Sequence, residues 1–361
     1  MTSLTQYLLK ESKLHPSLAP QACLAPQDVV KLCYQAAFGA EHMLSDKTQA
    51  LNYFKDEYSA TPADDKPLAV HIAPTVCRVN LSAWKRLKLN PDWLWNLFVG
   101  SASPDEISGA NNKIFEDYLT QAGRLSQADS FPFSHTEWQK YIHDYKRLPV
   151  RHSEAYRDKV KPAYRILSGL PAMMLPIFEA MAGLESGVIA IDGRAASGKS
   201  TLAGYMSGII HAGLIAMDDF FLPPELRTKE RLAQPGGNIH HERFAREVLP
   251  YIRSNKGFEY GRFDCSRMEY SATPVKIPPS PWRIVEGVYS LHPALNNYMN
   301  VRVFLDIEQA EQKTRIQARN NAKIAADYFA KWIPMEETYF KEFNISKTAD
   351  AIIFKTHLRS K

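Results

Sequence analysis

Cysteine is scarce in this chain: Cys23, Cys33, Cys77 and Cys265 are the only four in 361 residues. They lie too far apart for a C-x-x-C pair, which excludes a zinc clamp or a redox dithiol of that kind and points to a reducing, cytoplasmic setting. Runs of Lys and Arg interleaved with aromatics are also missing. The formal charge of +5 is small enough to come from anion-binding sites alone, so nucleic acid is not an expected partner. The opening MTSLTQYLLKESKLHP has Lys10, Glu11 and Lys13 where a signal peptide needs its apolar stretch, so no export signal is expected. Long apolar runs are nearly absent. Ile166 to Leu184 comes nearest, but Pro171, Pro176 and Glu179 interrupt it, which predicts a buried helix beside a domain junction and no membrane partner. There is no internal repeat and no low-complexity tract.

What is present is an ordinary globular composition, 45% hydrophobic and 23% charged, in a chain long enough for two cores. Apolar residues at three- and four-residue spacing predict helices over Asp28 to Leu44, Thr48 to Glu57, Pro91 to Gly100, Asn112 to Ala122 and Thr136 to Lys146. Strand signals are few there, so residues 1–184 read as a mainly α-helical domain. TPADDKP at 61–67 and SPDE at 103–106 read as loops within it. Past Gly183 the pattern changes to short β-branched runs separated by helices: VIAI directly after Gly187, LIAM at 214–217, RIVEG at 283–287, VRVFLDI at 301–307 and AIIFK at 351–355. Such alternation predicts an α/β domain over 185–361, a parallel sheet flanked by helices.

The first of those strands runs straight into a phosphate-binding loop. Gly193 is followed by four residues, Arg194, Ala195, Ala196 and Ser197, and then by Gly198, Lys199, Ser200 and Thr201 at a helix start. The glycines let successive amides face a phosphate, and the helix adds its positive end. Lys199 is expected at the β- and γ-phosphates of ATP, with the Ser200 hydroxyl on Mg²⁺. One strand later, LIAMDDFF places Asp218 and Asp219 at a strand's carboxyl end, where α/β sheets form their ligand crevice. A carboxylate there can accept the proton of an attacking hydroxyl, which makes Asp218 the candidate base. Glu286, ending the strand RIVEG, needs a cation or hydroxyl partner and is a candidate for the metal side. The helix from Gln309 to Lys323 carries Lys313, Arg315 and Arg319, the two arginines on one face at i and i+4, either solvated or phosphate-facing.

Taken together, GRAASGKST, MDDFF, IVEGVYSLHP, the RIQARN helix and WIPMEETYF resemble the uridine kinase and phosphoribulokinase-like P-loop kinases, nicotinamide riboside kinases included, over about residues 185–361. The resemblance implies ATP and Mg²⁺, a catalytic base at Asp218, a metal-side acid at Glu286, and phosphate-contacting lid arginines at Arg315 and Arg319. On the acceptor side the family's N-F-D-H-P-like stretch is replaced by Asn238, Ile239, His240, His241 and Glu242, so the ribose-reading acid is missing. Asp264, with Phe263 and Tyr270 nearby, is then a candidate acceptor residue, as are Asp219, His240 and Tyr289.

The first half resembles no known activity. Its polar stretch RHSEAYRDKVKPAYRIL puts His152, Glu154, Arg157 and Arg165 within reach of a second anion site with Glu41, His42 and Arg78; the favoured reading is a set of salt bridges and caps. The sequence therefore predicts an ATP-dependent kinase of a small hydroxylated metabolite, with homo-oligomerisation not indicated. The competing expectation is an ATP-sensing module whose helical half engages a partner protein.

Overall fold

The computed structural model describes residues 23–40, 43–44, 46–102, 109–265 and 267–354. The chain divides into two compact units, Met1–Leu175 and Pro176–Lys361.

Helices dominate the first unit, as the apolar spacing predicts. Pro26–Phe38 starts on a proline, whose missing N–H costs nothing there, and stops at Gly39, which takes the positive φ of 64° that ends helices cheaply. The helix therefore ends well before the expected Leu44. Lys47–Ala60, Pro91–Ser101, Gly109–Gln127 and His135–Asp144 follow. Asn90 caps the third of these five helices by accepting from Asp92 N at 2.9 Å, and Ser134 with Glu137 forms a reciprocal capping box on the last.

The sequence reading did not foresee the antiparallel sheet of this unit, β1 (Ala69–Ala73), β2 (Val76–Asn80) and β3 (Tyr164–Ser168), in that order across the sheet. The central strand VCRVN is buried at four of its five positions, so it lacks the alternation that identifies a half-buried strand. β3 occupies the start of the run expected to be one buried helix. Only the remainder is helical, as two short pieces, Gly169–Met173 and Leu175–Ala180. Among the described residues no helix is long and apolar enough to cross a membrane.

The second unit is an α/β fold, a parallel sheet flanked by helices. Its strands, in chain order, are β4 (Gly187–Gly193), β5 (Gly213–Ala216), β6 (Phe258–Tyr260), β7 (Phe263–Asp264), β8 (Glu269–Tyr270), β9 (Val275–Ile277), β10 (Trp282–Glu286), β11 (Val301–Asp306) and β12 (Ala351–Phe354). Five of them make a parallel sheet in the order β12-β11-β4-β10-β5, while β6 pairs with β9 and β7 with β8 as antiparallel ladders. Because parallel strands need crossovers, helices such as Lys199–Ile210 and Gln309–Arg319 intervene, and every strand delivers its carboxyl end to the same edge. In β10, Glu286 lies opposite Ala216 of the edge strand β5 and Ile191 of β4, so β10 and β5 finish level while β4 runs on to Gly193. The core beneath is filled by Val188, Ala190, Ile215, Val285, Phe304 and Tyr339.

Gly193 closes β4 at φ 141°, where a Cβ would sit 2.1 Å from the carbonyl oxygen of Leu305 on β11. No side chain fits, since the clash is with backbone that cannot rotate away. Gly193→Ala is expected to lower the thermal midpoint by several degrees or to yield insoluble protein, measured against Gly204→Ala, whose Cβ would meet open space.

Candidate active site

Where β4 ends, the chain turns through Arg194–Gly198 into the helix Lys199–Ile210. Ala196 at φ 60° and Gly198 at φ 99° make this turn left-handed at two points. Other elements brace it. Gln312 donates to the Ala195 carbonyl at 3.1 Å and Arg315 to the Ala196 carbonyl at 3.4 Å. Arg194 donates to Asp306 at 2.7 Å and is ion-paired with Glu337. Lys199 folds back, its Nζ donating to the carbonyls of Gly193 at 2.8 Å and Arg194 at 2.9 Å.

Below the loop, Asp192 is fully buried and accepts four hydrogen bonds. Gly193 N at 2.7 Å and Tyr289 N at 3.2 Å donate to one oxygen, and Leu291 N at 3.0 Å and the Tyr339 hydroxyl at 2.7 Å to the other. Burial raises its pKa and these donors pull it down. One carboxylate thereby ties the phosphate loop to the segment after β10.

At the carboxyl ends of β4, β10 and β5 opens a cavity of about 820 Å³, lined by Ala195, Ala196, Gly198, Lys199, Ser200 and Thr201. That volume suits a small-molecule site. Asp218, Asp219, Glu286, Phe263, Asp264 and Tyr289 line it elsewhere. The two aspartates sit on a single turn, Met217–Phe220, and meet opposite fates. Asp219 is buried, accepts from the Tyr260 hydroxyl at 2.9 Å, and lies 3.3 Å from Arg262 Nε; its carbonyl is held by Arg243. Asp218 opens onto the cavity, reachable by solvent but surrounded by protein. That desolvation raises its carboxyl above the usual range, while Lys199 and Arg319 pull it back. A raised, unengaged carboxylate is what a proton acceptor requires.

Glu286 is likewise raised, first by burial and then by the charge of Asp218, and Ser200 donates a hydrogen bond to it. The pair offers two hard oxygen ligands, which fits a magnesium ion that keeps most of its waters; among the described residues there is no cluster of three His, Cys, Asp or Glu for a metal that demands more.

Several of the residues singled out in the sequence lie outside the cavity lining. Gly193 does not line the cavity; it is pinned against β11 and gives its carbonyl to Lys199. Ser197 is buried, with its amide donating to Arg194 O at 3.2 Å. Of the two arginines placed on one helical face, only Arg319 lines the cavity; Arg315 is drawn back by Glu311 at 2.8 Å, one turn away, and by the Ala196 carbonyl. His240 is outside the cavity lining: it caps the helix His241–Glu247, its Nδ1 accepting from Arg243 N and contacting Glu242. Glu242 is itself taken by Arg231 at 2.9 Å, so of that pentapeptide Asn238 lines the cavity and Glu242 does not. Tyr270 stacks edge-on against Phe263 and is outside the cavity lining.

Asp192, Glu336, Arg227 and Arg262 were not anticipated. Glu336 lies in WIPMEETYF beside Glu337, and only its spacing to buried Tyr339 and Phe340 reveals that it faces inward. Its Oε2 accepts from Ala195 N at 3.0 Å, and burial pushes its carboxyl from 4.5 up to about 7. The folded state therefore holds a proton the unfolded chain lacks between those values, and stability falls as pH rises through that window. Glu336→Gln is expected to change the melting temperature little at pH 5 and to raise it relative to wild type at pH 8, as thermal scans at both pH values would register.

The polar stretch of the first unit forms a structural network. His152, held neutral by burial with its pKa lowered to about 4, lies 2.9 Å from Asp28 and 2.8 Å from the Tyr164 hydroxyl. Arg78 donates twice to Gln35, and Arg165 is ion-paired with Glu57. Glu154 and Arg157 are exposed at the helix surface. Glu41 and His42 lie outside the described residues.

No family model matches the chain, and no curated protein matches it. Solved kinases are similar to about half of it. A protein provisionally assigned as a fructose transport system kinase, from Silicibacter sp. TM1040, is 20% identical with a TM-score of 0.40, covering 51% of this chain and 98% of its own. A protein provisionally assigned as a uridine kinase, from Bacillus stearothermophilus, is 17% identical with a TM-score of 0.35, over 46% and 87%. D-glycerate 3-kinase from Cryptococcus neoformans var. grubii is 12% identical with a TM-score of 0.32, over 46% and 84%.

Proposed function

We propose that the second unit transfers the γ-phosphoryl group of ATP to a hydroxyl of a small metabolite. The observation that carries this reading is that one cavity is lined by both a phosphate loop with its lysine and an unengaged, desolvated carboxylate, Asp218. The loop amides and Lys199 bind and orient the triphosphate, and Asp218 accepts the proton of the attacking hydroxyl and aligns its oxygen. Ser200 and Glu286 would hold Mg²⁺, which neutralises phosphate charge when bound. Arg319, donating to the Tyr328 hydroxyl at 3.4 Å, stands where it can reach charge on the transferred group.

The test is a screen of purified protein with ATP and Mg²⁺ against a panel of hydroxylated metabolites, read as acceptor-dependent ADP release and a mass gain of one phosphoryl group. A kinase gives both with at least one acceptor. ATP binding without acceptor-dependent release for any member would favour a nucleotide sensor.

A further inference from the structure

Lys199, Arg319 and Lys331 supply the positive charge near the phosphate loop and lid, and Lys331 is already paired with Asp327 at 2.9 Å. The same cavity is also lined by Arg227 and Arg262, by Asp218, Asp219 and Asp264, and by the apolar side chains of Phe221, Leu232, Phe263 and Met268. Counted as bare charges this second group is acidic, but the acids are committed. Asp219 is held by Tyr260 and by Arg262, which neutralises it. Asp264 accepts from Arg267 N at 3.3 Å. Asp218 is the proton acceptor.

Arg227 differs from all of these. Its Nε donates to the Leu222 carbonyl at 2.7 Å, which fixes the side chain, and among the described residues no carboxylate lies within ion-pair distance of it. It is half-buried in the cavity wall. Its charge reaches the Cys265 thiol, whose Sγ lies 3.9 Å from the Asp218 carbonyl oxygen. A guanidinium fixed by one nitrogen keeps its remaining donors for a planar or tetrahedral anion.

We infer that the phosphate acceptor carries an anionic group, carboxylate or phosphate, which Arg227 binds while Asp218 engages the hydroxyl. This deepens the kinase reading and rests on it. The apolar side chains take the carbon body between the two polar ends, so a small hydroxy acid or a phosphorylated polyol fits, and an uncharged polyol leaves the guanidinium unmatched.

Two measurements test it. The first is turnover with acceptors matched in carbon skeleton: hydroxy acids, phosphorylated polyols, their uncharged parent polyols and cationic amino-polyols. Anionic members are expected to be used, the better of the two acid types naming the group. Arg227→Gln should raise acceptor KM roughly 10- to 100-fold, the worth of a hydrogen bond to a charged group, with little change in kcat. Arg227→Lys should recover part of the loss. Use of uncharged or cationic acceptors with indifference to Arg227→Gln would overturn the inference and leave the kinase standing.

The second measurement needs no turnover. Cys265 is exposed whereas Cys23, Cys33 and Cys77 are buried, so it can be labelled with sulfonate-bearing and trimethylammonium-bearing methanethiosulfonates in the full-length protein. If Arg227 forms an anion site, the anionic-to-cationic rate ratio falls by about 10-fold or more in Arg227→Gln at low salt, and stays near wild type in Arg227→Lys. Taking the ratio cancels any change in thiol pKa. An unchanged ratio overturns the anion site. Absence of ADP release with every acceptor, together with a changed ratio, would instead remove the kinase reading and keep the anion site.

Discussion

Asp218→Asn is expected to lower kcat by about 10³-fold while leaving ATP binding close to wild type, because a positioned general base contributes roughly 10²- to 10⁴-fold. The substitution keeps the shape of the side chain and removes only its ability to take a proton. Fluorescent-nucleotide titration beside ADP release separates the two effects. Asp219, the adjacent acid, is not an equivalent substitute: it is buried and its two oxygens face Tyr260 and Arg262. Asp219→Asn should therefore act mainly through stability and acceptor KM. If Asp218→Asn retained full kcat with the acceptor saturating, proton acceptance at this position would be wrong. The pH profile offers a companion check. The raised carboxyl of Asp218 places the acid limb of kcat/KM above the ordinary aspartate range, and that limb should vanish in the Asn variant.

Asp192→Ala should destabilise the protein by on the order of 4 kcal/mol, from the cost of leaving buried donors without acceptors. Three backbone amides and the Tyr339 hydroxyl lose their partner at once. Asp192→Asn supplies one carbonyl oxygen in place of two and should lose about half as much. Chemical denaturation read by tryptophan fluorescence would give both values. A loss below about 1 kcal/mol for the Ala variant would mean that the four bonds are replaced by relaxation of the loop. Because the same carboxylate joins the phosphate loop to Tyr289 and Leu291, the Asn variant should also bind ATP more weakly, separating it from a merely local packing defect.

Much of the second unit was legible in the chain. β4, β5, β10, β11 and β12 fall on the β-branched runs; the central β4, β10 and β11 are buried at most of their positions, and such strands are nearly continuously apolar. The turn from β4 into the helix Lys199–Ile210 was legible because it is set by consecutive residues. The first unit was read less well. β2 and β3 are five residues each and mostly buried, so they carry no alternating signal, and their pairing joins residues some ninety positions apart.

The sequence by itself determined the glycine-rich turn after β4, the alternation of strands and helices, and the acids that follow β5 and end β10, because these are set by local spacing and by where strands stop. Only the tertiary structure decided which of two adjacent residues does what. It turned Asp218 toward the cavity and Asp219 into a hydrogen-bonded wall, sent Glu336 inward to Ala195 while Glu337 went to Arg194, and divided Arg319 from Arg315 on one helical face. Neighbours in a chain share composition and propensity. Their roles diverge through partners supplied from distant segments, Tyr260, Arg262 and the loop carbonyl of Ala196 among them, which fold into place only when the sheet is assembled.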